Sequence, residues 1–256
     1  MSSIQRGLRV LEAFTPASPR MRFQEVVKKT GLPKVTVHRF MRTLNALQYL
    51  TYDPESKQYF LSPRVMSLGY TALSAMDVRK VAHPFLEQLS EVTGQNVNLG
   101  ILDGIEIVYV DRIKKRQILN IDLQVGSRLA AYKTSIGQAI LAFLDRGDCD
   151  RVIGLLLQDP ESAPLLGPEG KRAYLNFESI RKKGYALNDE LFTAGLRAIG
   201  APLFNHQGRV DAGINIPVFS QQVSRDELIE RYSPPLLKTA EQISAARGFS
   251  KASAVA

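Results

Sequence analysis

Between Pro33 and Gln48 the chain carries an unusual density of side chains able to grip a polyanion. Lys34, Thr36, His38, Arg39, Arg42 and Thr43 fall mostly on one side of a helix-spaced run. Val37, Phe40, Met41, Leu44 and Leu47 recur at three- and four-residue steps on the other and are expected to face a core. Arg39 and Arg42 each offer a planar fork of donors suited to guanine or phosphate. Thr36, near the helix start, can bond a phosphate or touch a thymine methyl group. Lys34 adds a phosphate contact where the backbone N–H groups of a helix N-terminus also favour an anion. Lys57, in a downstream turn, could reach a neighbouring phosphate. His38 has two readings, towards DNA or packed at the helix edge, and the second is slightly favoured. A second stretch, Thr134-Ser-Ile-Gly137, opens a helix with hydroxyls and a glycine. Its N–H groups suit a carboxylate, although an ordinary helix cap reads the same way.

The elements around Pro33–Gln48 make a recognisable unit. Ile4 to Phe14 has helical spacing and ends at Thr15-Pro-Ala-Ser-Pro19. Phe23 to Thr30 is a short helix stopped by Gly31. Pro33 then opens the third helix at a first-turn position. Tyr49–Tyr52 and Gln58–Leu61 flank the turn Asp53–Lys57 as a hairpin. Helix, glycine turn, helix and hairpin together form a winged helix-turn-helix. The charge agrees: residues 1–76 hold 11 Lys and Arg against 4 Asp and Glu, whereas residues 77–256 hold 22 against 21. A polyanion is therefore drawn to the first segment.

Residues 64–76 read as a linker helix, and Val78–Val92 as an amphipathic one. Short strands follow. Val97, Leu99 and Ile101 alternate with Asn96, Asn98 and Gly100 up to the turn Asp103-Gly104, and Glu106–Arg112 returns. A further strand is expected over Ile118–Leu123, helices over Ser135–Leu144 and Cys149–Leu157, and a helix end at Phe177–Lys183. A second hairpin spans Ala198–Phe204 and Arg209–Val218. A final helix, Arg225–Ala246, is interrupted near Pro234-Pro235. The fold class is α+β, with a winged helix-turn-helix over 1–62, a linker helix over 63–76 and a domain with a central antiparallel sheet over 77–256.

Composition narrows the function classes. With 45% hydrophobic and 23% charged residues, the chain is an ordinary globular one. No apolar run approaches the roughly 18 residues of a membrane span, and Met1-Ser-Ser-Ile-Gln-Arg lacks a signal-peptide core, so a cytoplasmic protein without a membrane partner is expected. The single cysteine, Cys149, excludes an intrachain disulfide framework. Its neighbours Asp148 and Asp150 should raise its pKa by like-charge repulsion. His83 and His206 have no catalytic partner nearby in sequence, and Asp189-Glu190 reads as a solvated acid pair. No metal-ligand spacing or phosphate loop is present, so no cofactor, no metal and no catalytic residue is expected. A ligand sensor without DNA reading, and an enzyme with a DNA-binding appendage, are the rival readings.

The sequence resembles the IclR family of bacterial transcription regulators. The likeness runs through Gln5-Arg-Gly-Leu-Arg-Val-Leu-Glu-Ala-Phe14, Thr30-Gly-Leu-Pro-Lys-Val-Thr-Val-His-Arg39, Tyr59-Phe-Leu-Ser-Pro-Arg64, Asp103-Gly-Ile-Glu-Ile-Val-Tyr-Val110, Val125-Gly-Ser-Arg-Leu129, Thr134–Ala142, Arg181–Tyr185 and Gly195–Pro202. It covers roughly residues 4–249. Val35 departs from the small residue usual before the family's Thr. The resemblance implies a GAF-like effector domain whose pocket takes Ser135, Ile136 and Gly137, with Ile118, Ile121 and Leu129 as apolar wall. It also puts Asn188, Ala198 and Asn215 at ligand-contacting positions. Asn188 there replaces an acid and Ala198 removes a donor, which leaves room for a bulkier, partly apolar ligand. Gly126–Ser135 and Pro234-Pro-Leu-Leu237 are most similar to the branch regulating aromatic-acid catabolism, of the protocatechuate and 4-hydroxybenzoate type. An aromatic carboxylate, or a dicarboxylate derived from one, is thus the expected effector, with Arg128, Lys133 or Arg197 as its countercharge. The resemblance further implies a homodimer or dimer of dimers on a double-stranded DNA operator. Leu8, Leu11 and the 64–76 helix are the dimerisation candidates.

Overall fold

The computed structural model describes residues 2–115 and 123–250. They form two units, Met1–Ala75 and Met76–Ala256.

The first unit is the expected winged helix-turn-helix. Helix α1 (Ser3–Glu12) starts at Ser2, whose hydroxyl accepts from the Gln5 N–H while the Gln5 side chain accepts from the Ser2 N–H. Strand β1 (Arg20–Arg22) leads into α2 (Phe23–Thr30), and Gly31 ends α2 at φ 66°. Helix α3 (Lys34–Ala46) follows with Pro33 at its N-cap, one position before the first turn where the sequence places it. Strands β2 (Leu50–Asp53) and β3 (Gln58–Leu61) make the hairpin, and α4 (Arg64–Ser74) closes the unit. β1 adds to the hairpin in the order β1-β3-β2, a strand that Arg-Met-Arg does not announce because it offers one apolar side chain. Val10, Phe14, Met21, Val26, Val37, Met41 and Leu50 form the core. Leu47 does not join them. It is the C-cap of α3 and is 51% exposed, since the helix ends before its side chain can turn inward.

The second unit is built on one antiparallel sheet. Helix α5 (Asp77–Thr93) precedes β4 (Val97–Asp103), β5 (Glu106–Ile113) and β6 (Arg128–Ala130). Helices α6 (Ser135–Phe143), α7 (Arg146–Leu156), α8 (Ala163–Leu166) and α9 (Lys171–Lys183) come next. Strands β7 (Ala186–Asp189), β8 (Leu196–Phe204) and β9 (Val210–Phe219) complete the sheet in the order β6-β5-β4-β9-β8-β7. A short α10 (Arg225–Glu227) and a π turn, Leu228–Tyr232, lead to α11 (Ser233–Ala246). The interruption expected at Pro234-Pro235 is this junction, where prolines sit in the first turn of α11. The strand expected over Ile118–Leu123 falls largely on residues outside those described, and Ile118 and Ile121 with it.

Helix α6 is the organising element of this unit. Every residue from Ser135 to Ala142 is buried. It lies against a glycine-lined stretch of β4, β8 and β9: a Cβ on Gly200 would sit 2.7 Å from the Ser135 backbone, and one on Gly213 or Gly100 would press on Ile136 at 3.2 or 3.3 Å. α5 and α11 pack on each other and on the sheet. Alternation turns Val97 and Leu99 away from the face that α6 covers, so both faces of β4 are buried. At the start of α6 the Thr134 hydroxyl accepts from the Gly137 N–H at 2.9 Å, and a Cβ on Gly137 would lie 2.0 Å from the Ala131 carbonyl oxygen.

Replacing a helical glycine by alanine ordinarily stabilises a helix by about 1 kcal/mol. At Gly137 the sign should reverse, because the Ala131 backbone cannot withdraw as a flexible side chain would. Gly137→Ala is expected to lower the thermal midpoint, with a net loss of about 1–3 kcal/mol; a raised midpoint would show that the contact is loose.

Candidate nucleic-acid interface and small-molecule pocket

The capped turn at Gly31 and the buried pair Val37 and Met41 set the rotation of α3. That rotation exposes Lys34, His38, Arg39, Arg42 and Thr43, while Thr36 is half-buried at the flank. The Arg39 guanidinium stands 5.5 Å from the Phe40 ring centroid, and the His38 ring meets Phe23 edge-on at 6.0 Å. His38 packs on Phe23 at one edge and is otherwise exposed. Among the described residues Lys34, Arg39, Arg42 and Lys57 make no ion pair, so their charge is uncompensated. Val35 is 82% exposed among these cations.

Lys57 sits at φ 55° in the wing turn. Asp53 holds that turn, accepting from the Ser56 hydroxyl at 2.6 Å and the Glu55 N–H at 3.0 Å. Those bonds, Ser56 first, keep the Asp53 carboxyl below the usual range.

In the second unit, Leu129, Ser135, Asn188, Ala198 and Asn215 line one cavity, together with Asn98, Tyr109, Leu123, Lys133, Thr134, Phe192, Leu196 and Pro217. Its volume is about 30 Å³, room for about two water molecules. Ile136 and Gly137 do not line it. The Ile136 side chain turns into the core on the sheet, and Gly137 is needed for the close approach to Ala131.

The polar groups of the cavity form a chain. The β4–β9 register places Asn98 beside Asn215. Asn98 Nδ2 donates to Asn215 Oδ1 at 2.8 Å, and Asn215 Nδ2 donates to Ser135 Oγ at 3.1 Å. Asn98 Oδ1 is buried and makes no hydrogen bond among the described residues. The N–H groups of Ser135 and Ile136, in the first turn of α6, have no acceptor among the described residues. Asn188 is committed elsewhere: it donates to the Lys133 carbonyl at 2.5 Å and accepts from the Leu191 N–H at 3.1 Å. Burial raises the Tyr109 pKa, so its phenol stays neutral.

Of the three expected countercharges, one reaches the cavity. Lys133 lines it, with its ammonium 2.8 Å from Glu161. Arg128 instead pairs with Asp103 and Glu106 at 2.8 and 2.7 Å, and Arg197 with Asp189 at 2.5 Å. Both are spent bracing strand ends. Asn98 was missed from the sequence because its strand alternates as if one face met solvent, whereas Asn98 is 1% exposed.

Two other groups are resolved. His83 finds a carboxylate that sequence does not put beside it, with Nδ1 at 2.7 Å from Asp111 Oδ2, and this pair fastens α5 to β5. The Cys149 pKa is raised, but burial is the larger cause and Asp150 the next, so the charge argument from sequence names the lesser one. No cluster of three or more His, Cys, Asp or Glu side chains among the described residues is placed to hold a metal ion. No described helix is long and apolar enough to cross a membrane.

Residues 3–54 match the IclR helix-turn-helix domain, and residues 70–245 match the bacterial transcriptional regulator IclR C-terminal domain. The chain belongs to the IclR family. It is 31% identical to the Pca regulon regulatory protein of Pseudomonas putida over 245 residues, 95% of this chain and 83% of that one. It is 29% identical to the p-hydroxybenzoate hydroxylase transcriptional activator of Acinetobacter baylyi over 252 residues, 95% of this chain and 90% of that one. A crystal structure of an IclR homologue from Microbacterium hydrocarbonoxydans, complexed with 4-hydroxybenzoate, shares the fold at a TM-score of 0.76 and 21% identity, over 96% of this chain and 98% of that chain. As an IclR-family member the protein is a DNA-binding transcriptional regulator with an effector domain.

Proposed function

We propose that this regulator reads its operator through α3 and the wing, and that an aromatic carboxylate in the α6 cavity controls that reading. The observation that carries the first half is the set of uncompensated cations on the exposed side of α3. Arg39 and Arg42 serve as base-edge readers, with Thr36, His38 and Thr43 flanking them. Lys34 and Lys57 serve as phosphate anchors.

For the effector, the support is chemical. The Ser135 N–H at the start of α6 and the Ser135 hydroxyl favour an anion, and Lys133, paired with Glu161, lines the same cavity. Leu129, Phe192, Leu196 and Pro217 suit an apolar body. The 4-hydroxybenzoate complex of the Microbacterium homologue and the names of the two relatives point to aromatic acids. A cavity of about 30 Å³ is too small for such a ring, so accommodating one requires its walls to move. That movement is what a sensor needs: a ligand shifts an equilibrium only if it binds two arrangements unequally.

A dimer would present two copies of α3 to two half-sites. Helix α4 buries none of its residues, and Met66 and Tyr70, one turn apart, are each 74% exposed. Leu8 is exposed on α1 and remains a candidate with them, whereas Leu11 packs against the core of its own unit. An apolar stripe of this kind is what a second copy would cover, and assembly as a dimer or dimer of dimers is proposed through it.

Two measurements check these assignments. With DNA selected from a random pool by the unaltered protein, Arg39→Ala/Arg42→Ala should lose roughly 100-fold or more in affinity. Its log–log salt dependence should become shallower by about two if both arginines also neutralise phosphate. Unchanged binding would take the reading helix away from α3. In sedimentation, Met66→Asp/Tyr70→Asp should run as a lighter species than the unaltered chain; an unchanged mass puts the interface elsewhere.

A further inference from the structure

The unpaired acceptor in the pocket has a chemical consequence. We infer that Asn98 is a specificity-determining residue, whose Oδ1 selects effectors that carry a hydroxyl donor in addition to their carboxylate. This rests on the reading of the cavity as the effector site.

Asn98 is 1% exposed and lines the cavity. Its Nδ2 gives one N–H to Asn215, and Asn215 Nδ2 gives one to Ser135. The amides thus run in one direction, and each end of the chain is open. At one end Asn98 Oδ1 accepts nothing from the described residues. At the other, Ser135 Oγ already accepts, so its own O–H is free to donate. A buried acceptor left unmade costs more than a made hydrogen bond gains, so the group asks for a donor.

Reversing both amides would instead spend the Ser135 proton inside the network and present an N–H₂ at Asn98. That arrangement removes a donor from the place where the Ser135 N–H at the start of α6 already favours a carboxylate. The orientation observed keeps the Ser135 donor for the anion and leaves the Asn98 acceptor for a second, neutral group. Among the other polar side chains of the wall, Asn188 already gives one N–H to the Lys133 carbonyl and accepts at Oδ1 from the Leu191 N–H. A hydroxylated aromatic acid meets both ends of the network. A plain aromatic acid leaves Asn98 unpaired, and a dicarboxylate sets a second anion against an acceptor. A site built to bond a hydroxyl rejects the analogue that lacks it far more strongly than an apolar wall rejects a missing methylene.

The test is calorimetry on the full chain with benzoate, the three hydroxybenzoates and their matched methyl ethers, which keep the oxygen and lose the proton. The best hydroxybenzoate should bind roughly 10- to 100-fold tighter than both benzoate and its own methyl ether. In Asn98→Leu, with folding checked by thermal unfolding, that ratio should fall towards one. Equal binding of hydroxybenzoate and benzoate, a methyl ether as the tightest ligand, or a ratio that survives Asn98→Leu would overturn the inference alone. If Asn98→Leu does not fold, the methyl-ether comparison on the unaltered protein decides it. Failure of every aromatic carboxylate to bind removes the effector-site reading, and the inference with it.

Discussion

The effector domain depends on how closely one helix backbone approaches one sheet. Gly100, Gly200 and Gly213 remove the side chains that would hold α6 away. Thr134 caps the helix, and Gly137 lets its first turn press on Ala131. With α6 seated there, Ser135 comes within hydrogen-bond reach of Asn215, and through it Asn98 joins a buried polar line. The start of α6 at Ser135, its hydroxyl and two amides then share a space closed by Leu129, Phe192, Leu196 and Pro217. A packed contact of this kind is stiff, so a ligand that forces the cavity wider must displace whole elements rather than single side chains.

The two units treat charge in opposite ways. In the effector domain three arginines are consumed structurally: Arg128 joins Asp103 to Glu106, Arg197 holds Asp189 and the Ser220 and Val223 carbonyls, and Arg247 holds Asp211. On the exposed side of α3 the cations are left unpaired. A formal charge of +8 therefore understates the local field available to a polyanion, because the uncompensated part is concentrated on one element.

Much of this was legible from the sequence, and the exceptions share a cause. Gly31, Pro33 and the three- and four-residue spacing of Val37, Phe40, Met41 and Leu44 are local signals, and they delimited α3 to within two residues. The Asp103-Gly104 turn and the Asn205–Gly208 turn fixed both long hairpins. β1, β6 and β7 escaped notice because strands of three or four residues carry no periodicity of their own and exist only by pairing with a longer neighbour. Leu47 looked inward because helical periodicity does not report where a helix stops. Arg128 and Arg197 looked available because their partners lie 22 and 8 residues away. Asn98 read as the polar face of a half-exposed strand, although Gly100 beside it on the same face signals a close neighbour. What sequence could not show was that α6 covers that face.

The central claim is that occupancy of the α6 cavity and the grip of α3 on DNA are coupled, and coupling is reciprocal. The most direct measurement is therefore the affinity of the tightest aromatic carboxylate for the free protein and for the protein saturated with operator DNA. The account predicts that the two differ by about fivefold or more, in either direction. Equal affinities would mean that the cavity and the DNA-reading helix act independently, and would contradict it.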